Sequence, residues 1–356
     1  MSALGCASSP SAGGSDGGAP GQGGIPGSSG ANLGGGGLHE AGGSQAAGGV
    51  AGNGGNGGTG GATVTNEQAG SGGSSGGGAG GDGGAVSGGN AGSGGVGGGG
   101  AVTGSCNPAR PHAPGTSTIS LQSGGTNRSY LLHIPPGYDG TKPLPLVFDV
   151  HGYTSFASEQ LMRSKWDKMA DKEGFVLIDP DGVNKSWNAG SCCGGNKQDD
   201  VKFFRDMVAK ATAELCIDSK RVYVSGHSNG GAMTYRLACE AADIFAAVAP
   251  VCGWMTVNDC SPVRPIPVLA IRGLNDTTVT INTADGDIEE WLSNDKCAED
   301  KTTSSGVCKT YTSCAAGTQV MDCRPRGNHN FFYATNPDNY LVPDNAWPFF
   351  KQFSLP

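Results

Sequence analysis

Glycine is spread so unevenly along this chain that its two parts cannot share one fold. Residues 1–105 hold 45 of the 65 glycines, and residues 106–356 hold the other 20 in more than twice the length. What accompanies glycine in the first stretch is mostly Ala, Ser, Asn and Thr, with four acidic residues (Asp16, Glu40, Glu67, Asp82) and neither Lys nor Arg. Such a segment buries too little apolar surface to offset the entropy of ordering its backbone. Residues 1–105 are therefore expected to be a disordered Gly/Ser/Ala-rich tether, with a root-mean-square reach of roughly 50–60 Å for a flexible chain of about 100 residues. A glycine-rich structural protein is the rival reading, but the segment has no G-X-Y period and lacks aromatic residues that would stack.

Residues 106–356 are long enough to bury a sizeable core as a single α/β domain. They carry 27 acidic against 23 basic residues with no long basic run, which argues against a nucleic-acid partner. Cysteine is dense there. Besides Cys6 and Cys106, ten cysteines fall within the 132 positions from Cys192 to Cys323, more than a reducing compartment usually tolerates. Zinc is the competing use, and spacing opposes it: there is no C-x-x-C pair, and neither His227 nor His329 has a second histidine three to five residues away. Most of these cysteines are expected in disulfides. Their pairing stays open, although nearness in the chain suggests Cys252 with Cys260. The domain is expected outside the cytoplasm, as a monomer.

The first residues, Met1-Ser2-Ala3-Leu4-Gly5-Cys6, have neither a basic n-region nor an apolar run of about 7–15 residues, so as written they do not make a signal peptide. Ala3-Leu4-Gly5-Cys6-Ala7 is nevertheless similar to the end of a bacterial lipoprotein signal, in which the cysteine becomes the lipid-modified first residue, although Ala3 stands where leucine is usual. The expectation is a start upstream of Met1 and lipid on Cys6. The protein would then be secreted or held at the cell surface, as an outer-membrane lipoprotein whose tether leads outward from its membrane attachment. A chance Gly-Cys in a low-complexity leader is the alternative. No stretch approaches about 18 consecutive apolar residues, so no transmembrane helix is expected.

Short apolar runs bounded by Gly, Pro or Asp mark strands at residues 130–134, 144–150, 175–178, 221–225, 246–251, 268–272 and 318–322. Helical patterns lie between or after them, near 158–172, 200–215, 230–241, 288–294 and 346–353. This alternation predicts an α/β fold with a mostly parallel central sheet and helices on both faces. In such sheets, sites form outside the carboxyl ends of the strands.

One strand-to-helix junction reads Val224-Ser225-Gly226-His227-Ser228-Asn229-Gly230-Gly231. In G-x-S-x-G the serine occupies a tight turn, and Cβ atoms at the two glycines would collide with the neighbouring strand or helix. The pattern arises by chance in a glycine-rich chain. A buried strand before it and a helix after it turn it into a nucleophile elbow, with Ser228 the nucleophile, rather than a loop with a surface serine. After the strand at 144–150 comes His151-Gly152-Tyr153-Thr154, where the Tyr153 N–H would face a developing oxyanion and the Asn229 N–H would supply the second donor. His151 reads as a structural hydrogen-bonder. Asp149, inside an apolar strand, has no account from sequence. Asp276 lies on the loop beyond the strand at 268–272, the strand-end setting that Asp259, Asp285 and Asp287 lack, and is the expected triad acid. Of six histidines, His329 alone lies C-terminal to it. The order Ser228, Asp276, His329 is that of α/β-hydrolases.

These blocks carry a family resemblance. His151-Gly152-Tyr153, Ser186-Trp187-Asn188-Ala189-Gly190 with Cys192-Cys193, Asp199-Asp200-Val201, Gly226-His227-Ser228-Asn229-Gly230-Gly231, Phe245-Ala246-Ala247-Val248-Ala249-Pro250 and Gly273 to Asp276 occur in that order. Together they resemble the polyhydroxybutyrate depolymerase-like esterases, which include feruloyl and acetyl xylan esterases. The resemblance spans nearly all of 106–356 and implies an α/β-hydrolase fold, ester hydrolysis by Ser228, Asp276 and His329, and a Cys297–Cys314 disulfide. No metal and no organic cofactor is needed for that chemistry.

Two departures stand out. The family's usual His-Gly before the acid is Arg272-Gly273 here, and its Gly-Gly-His-Thr-Trp-Pro around the base is Gly327-Asn328-His329-Asn330-Phe331-Phe332. The second removes a Trp-Pro that would shape the acyl pocket, which leaves Trp187 and Tyr153 as aromatic walls or as packing residues. Asp199 and Asp200 read as N-cap groups. Feruloyl or acetyl esters of plant polysaccharide are the favoured substrates, because residues 106–356 show no added polymer-binding domain of the kind expected on an enzyme of solid polyester. Depolymerisation of short-chain polyester is the alternative. A catalytically silent hydrolase fold used for surface binding is a third reading, opposed by the complete triad.

Overall fold

The computed structural model describes residues 104–330 and 336–356. Residues 1–103, with Cys6, His39 and nearly all of the expected tether, and the Phe331-Phe332 pair lie outside the described residues.

The sheet is built around β3 (Leu144–Val150), whose apolar residues are buried on both faces. Beside it run β4 (Val176–Pro180), β5 (Ile217–His227), β6 (Ala247–Val251), β7 (Val268–Ile271) and β10 (Val320–Cys323), all parallel to their neighbours in the order β4-β3-β5-β6-β7-β10. Antiparallel strands extend both edges: β1 (Gly115–Ser123) and β2 (Thr126–Ile134) beyond β4, β9 (Cys308–Tyr311) and β8 (Thr302–Ser305) beyond β10. Among the described residues, six α-helices accompany them: α1 (Ala157–Ser164), α2 (Trp166–Glu173), α3 (Asp200–Glu214), α4 (Asn229–Glu240), α5 (Ile281–Asn294) and α6 (Val342–Phe350). This is the α/β-hydrolase arrangement that the resemblance implies.

Alternation along the strands feeds two cores. Leu146, Phe148 and Val150 of β3 join Phe203, Phe204, Met233 and Trp291 of α3, α4 and α5 on one face. Val147 joins Trp166, Met169, Trp347 and Phe350 of α2 and α6 on the other. Burial of such side chains contributes about 1.5–3 kcal/mol each. The helix expected over 158–172 is two helices meeting at Lys165, whose left-handed φ of 64° ends α1 and starts α2. The break turns Trp166 inward, where it stacks on Phe350 at 6.1 Å.

Among the described residues, disulfides join Cys106 to Cys216, Cys192 to Cys193, Cys239 to Cys260, Cys297 to Cys314 and Cys308 to Cys323, with Cys252 a buried thiol. Cys297–Cys314 is the implied pair. Cys252 with Cys260 is not: Cys260 packs into the α3–α5 face and bonds α4 through Cys239, whereas Cys252 packs on the opposite face, so nearness in sequence misleads. No described helix is long and apolar enough to cross a membrane.

The structure also accounts for Asp149. It shares the α2 side of the sheet with Val147, and its buried Oδ1 accepts a hydrogen bond from Gln160 Nε2 of α1 at 2.9 Å. Burial raises its pKa to about 7 against the lowering effect of that bond, and Asp179, equally buried, is also pushed well above the usual range by burial and by Asp149. Raised folded pKa values mean that the native state holds protons the unfolded chain releases, so stability should fall as pH rises from the ordinary carboxylate range towards 7. Asp149→Asn should therefore lose less melting temperature between pH 5 and pH 8 than the parent. Identical losses in thermal scans would show that this carboxyl does not set the slope. Asp287 and Asp295, each raised to about 7 chiefly by burial, should keep a residual slope in the variant.

Candidate active site

All the reactive groups follow carboxyl ends of parallel strands. Ser228 follows β5 with φ 56° and ψ −116°, and its N–H donates to Val251 O at 2.9 Å. Both elbow glycines are sterically required: a Cβ on Gly226 would lie 2.5 Å from Gly230 O, and one on Gly230 would lie 2.2 Å from Val150 O of β3. The turn thus packs α4 directly onto the sheet and holds the serine at the top of β5.

His329 joins the other two groups. Its Nε2 is 2.8 Å from Ser228 Oγ and its Nδ1 is 2.7 Å from Asp276 Oδ2. Asp276 Oδ1 accepts from Thr278 N (2.8 Å) and Val279 N (2.9 Å). Burial alone would raise the Asp276 pKa, but its bond to His329 and the two backbone donors outweigh burial and lower it, which keeps it anionic. Neither loop depends on side chains alone for its position. Leu274 N donates to Pro325 O (2.9 Å) and Asn275 N to Gly327 O (2.8 Å), stitching the acid loop to the base loop. Arg272, the departure before the acid, pairs with Asp322 on β10 through Nε (3.1 Å) and Nη2 (2.7 Å), so it ties together the two strands that carry acid and base. The rival acids are engaged elsewhere: Asp285 with Arg272 and Arg324, Asp287 with Met255 N, Asp259 with Ser261.

His227 is a residue the sequence reading passed over. It is buried, its Nε2–H donates to His329 O at 2.8 Å, and the two rings lie 4.8 Å apart between centroids. Burial, then the neighbouring His329, pushes its pKa down to about 3, so it acts as a neutral clamp from the elbow to the base loop. Its position within G-x-S-x-G was the available signal.

The two expected oxyanion donors, the Tyr153 and Asn229 N–H groups, belong to segments next to Ser228. Asn229 is the first residue of α4, so its N–H has no intrahelical acceptor and lies at the positive end of the helix. Gly152 approaches the serine closely: a Cβ there would be 3.4 Å from Ser228 Cβ, which brings the Gly152-Tyr153 peptide alongside. His151 is buried and structural, accepting from Gly182 N through Nε2 (2.9 Å), and Asp199 caps α3 by accepting from Lys202 N (2.9 Å). Asp200 caps nothing: it is buried against Arg128 and accepts from Asn188 N at 2.7 Å.

Trp187 corrects an expectation. It is 0% exposed, its N–H donates to Asn229 Oδ1 (2.8 Å) and its Nε1 donates to His151 O (2.9 Å), so it braces the oxyanion turn from behind and is no wall for substrate. Tyr153 is 46% exposed. One trio among the described residues, His227, Cys252 and His329, brings metal-ligand atoms within 4.8 Å of one another. Both His329 nitrogens there already serve Ser228 and Asp276. A cavity of about 740 Å³ between α5 and the β8–β9 hairpin has no triad residue in its lining.

The family described as Esterase PHB depolymerase matches residues 128–293, a span that includes Ser228 and Asp276. Feruloyl esterase B of Piromyces equi is 30% identical over 255 residues, 64% of this chain and 46% of that protein. A bifunctional acetylxylan esterase/xylanase of Neocallimastix patriciarum is 26% identical over 222 residues, 59% of this chain and 31% of that protein. The matched region thus spans less than half of either relative. Among solved structures, an acetyl xylan esterase from Aspergillus awamori matches with TM-score 0.52 at 17% identity, over 66% of this chain and 99% of that one, a likeness of fold.

Proposed function

The chain belongs to the polyhydroxybutyrate depolymerase-like and feruloyl esterase family, and from that premise we propose that it is a serine carboxylic ester hydrolase acting outside the cytoplasm on feruloyl or acetyl esters of plant polysaccharide. The observation that carries the reaction class is the unbroken chain from Ser228 Oγ through His329 to Asp276, at 2.8 and 2.7 Å. Ser228 attacks the ester carbonyl while His329 Nε2 takes its proton. The tetrahedral oxyanion is held by the Tyr153 and Asn229 N–H groups. His329 then protonates the leaving alcohol, and water attacks the acyl-enzyme with the same histidine as base. Asp276 fixes the imidazole with its Nδ1–H towards the carboxylate.

The substrate class is supported by the names of the two relatives. The family description favours a second reading, hydrolysis of short-chain polyhydroxybutyrate. The five disulfides among the described residues support an oxidising compartment. Within this proposal residues 1–105 are a tether, and lipid on Cys6 is its anchor.

Assay of the full chain and of residues 106–356 against methyl ferulate, p-nitrophenyl acetate and a polyhydroxybutyrate suspension tests these statements together. Turnover of the soluble esters, with kcat and KM equal in the two proteins, is expected. Clearing of the suspension without feruloyl release would favour the polyester reading. No turnover of any ester would favour a silent binding fold, and a large drop on truncation would contradict the tether.

A further inference from the structure

Asn229 does more than present its N–H. Its buried side chain grips the segment from Ser186 to Gly195: Oδ1 accepts from Trp187 N, and Nδ2 donates to Trp187 O (3.2 Å) and to Cys192 Sγ (3.9 Å). The segment is closed on itself by the Cys192–Cys193 disulfide and by Ser186 Oγ, which donates to Cys193 O at 2.6 Å. Ser191 N donates to Thr256 O (3.1 Å), so its middle is fixed as well. Its far end meets Tyr153. A Cβ built on Gly194 would lie 3.3 Å from Tyr153 Oη and 3.4 Å from Cε2, so the phenol rests on the Gly194 backbone.

We propose that Tyr153 and the Cys192–Cys193 turn together form the specificity wall of the acyl site, against which a planar aromatic acyl group stacks and which an acetyl group is too short to use. The inference rests on the ester-hydrolase reading. A carbonyl seated between the Tyr153 and Asn229 N–H groups has the Tyr153 side chain as its immediate neighbour, and that ring is exposed on one side and backed by the turn on the other. Aromatic rings favour offset or edge contacts with such a surface. A disulfide between neighbouring residues holds the turn under the ring, and its loss frees residues 193–195 to withdraw. Asn229 links the wall to the oxyanion donor, so the pocket and the reacting carbonyl keep one geometry.

The test uses the full chain as Tyr153→Ala, Tyr153→Phe and Cys192→Ala/Cys193→Ala, with kcat/KM measured on methyl ferulate and p-nitrophenyl acetate. Tyr153→Ala and the double cysteine variant should each lower the ratio of kcat/KM on methyl ferulate to kcat/KM on the acetate by on the order of tenfold or more, the scale of a lost pocket contact. Tyr153→Phe should keep the parent ratio. An unchanged ratio, or parallel losses on both esters, would overturn the wall. Labelling rates of Ser228 by an aryl and an ethyl phosphonate give a second reading that needs no ester turnover. If the parent hydrolyses neither ester, the proposed function fails, and the wall then stands on an aryl preference lost in the variants and falls if the parent shows none.

Discussion

Ser228→Ala should abolish ester turnover and leave the domain folded. The backbone at 228 already holds its left-handed φ of 56° through the bond from its N–H to Val251 O and the packing of Gly230 on β3. Alanine keeps all of that and removes only the oxygen that would form the acyl-enzyme. Losses of a triad nucleophile run to roughly 10⁴–10⁶-fold in kcat. Rates on p-nitrophenyl acetate, with melting temperature measured beside them, decide the matter. A variant that melts like the parent and still turns over ester would remove Ser228 from the mechanism.

The next largest effects belong to Asp276→Asn and His329→Ala. Asparagine can still accept from Thr278 N and Val279 N through its carbonyl oxygen, so its amide NH₂ would face His329 Nδ1. That favours the tautomer in which Nε2 carries the proton and cannot accept one from Ser228, at a cost of about 10⁴-fold in kcat. His329→Ala removes the base outright and should lose comparably. Asp285→Asn and Asp287→Asn are the controls, since their carboxylates serve Arg272 and Met255 N. Parent-like kinetics for Asp276→Asn beside an inactive control would reassign the acid.

The catalytic order was legible because each group sits at a strand end that apolar patterning reveals. Leu144–Val150 was matched to the residue, and the elbow glycines announced a steric constraint that the structure then displays at Val150 O and Gly230 O. Edge strands were not legible. β1 and β8 are rich in Thr and Ser and mostly exposed, and β9 is four residues long with only Tyr311 buried, so all three lack the apolar run that marks a buried strand and owe their place to pairing and, for β9, to the Cys308–Cys323 bond. The sequence leaves Trp187 open between wall and packing residue because a large aromatic beside a site motif reads alike whether it faces substrate or core. Only its bonds to His151 O and Asn229 separate the two. His227 was overlooked because its role is a contact with the backbone of a loop 102 residues away.

The most direct test of the account is to treat the parent and His329→Ala proteins with a fluorophosphonate and to map adducts by peptide mass spectrometry. The account predicts one adduct in the parent, on Ser228, and strongly suppressed labelling in His329→Ala, because the serine reacts only when Nε2 at 2.8 Å can take its proton. An adduct on another residue, or none on the folded parent, would contradict it.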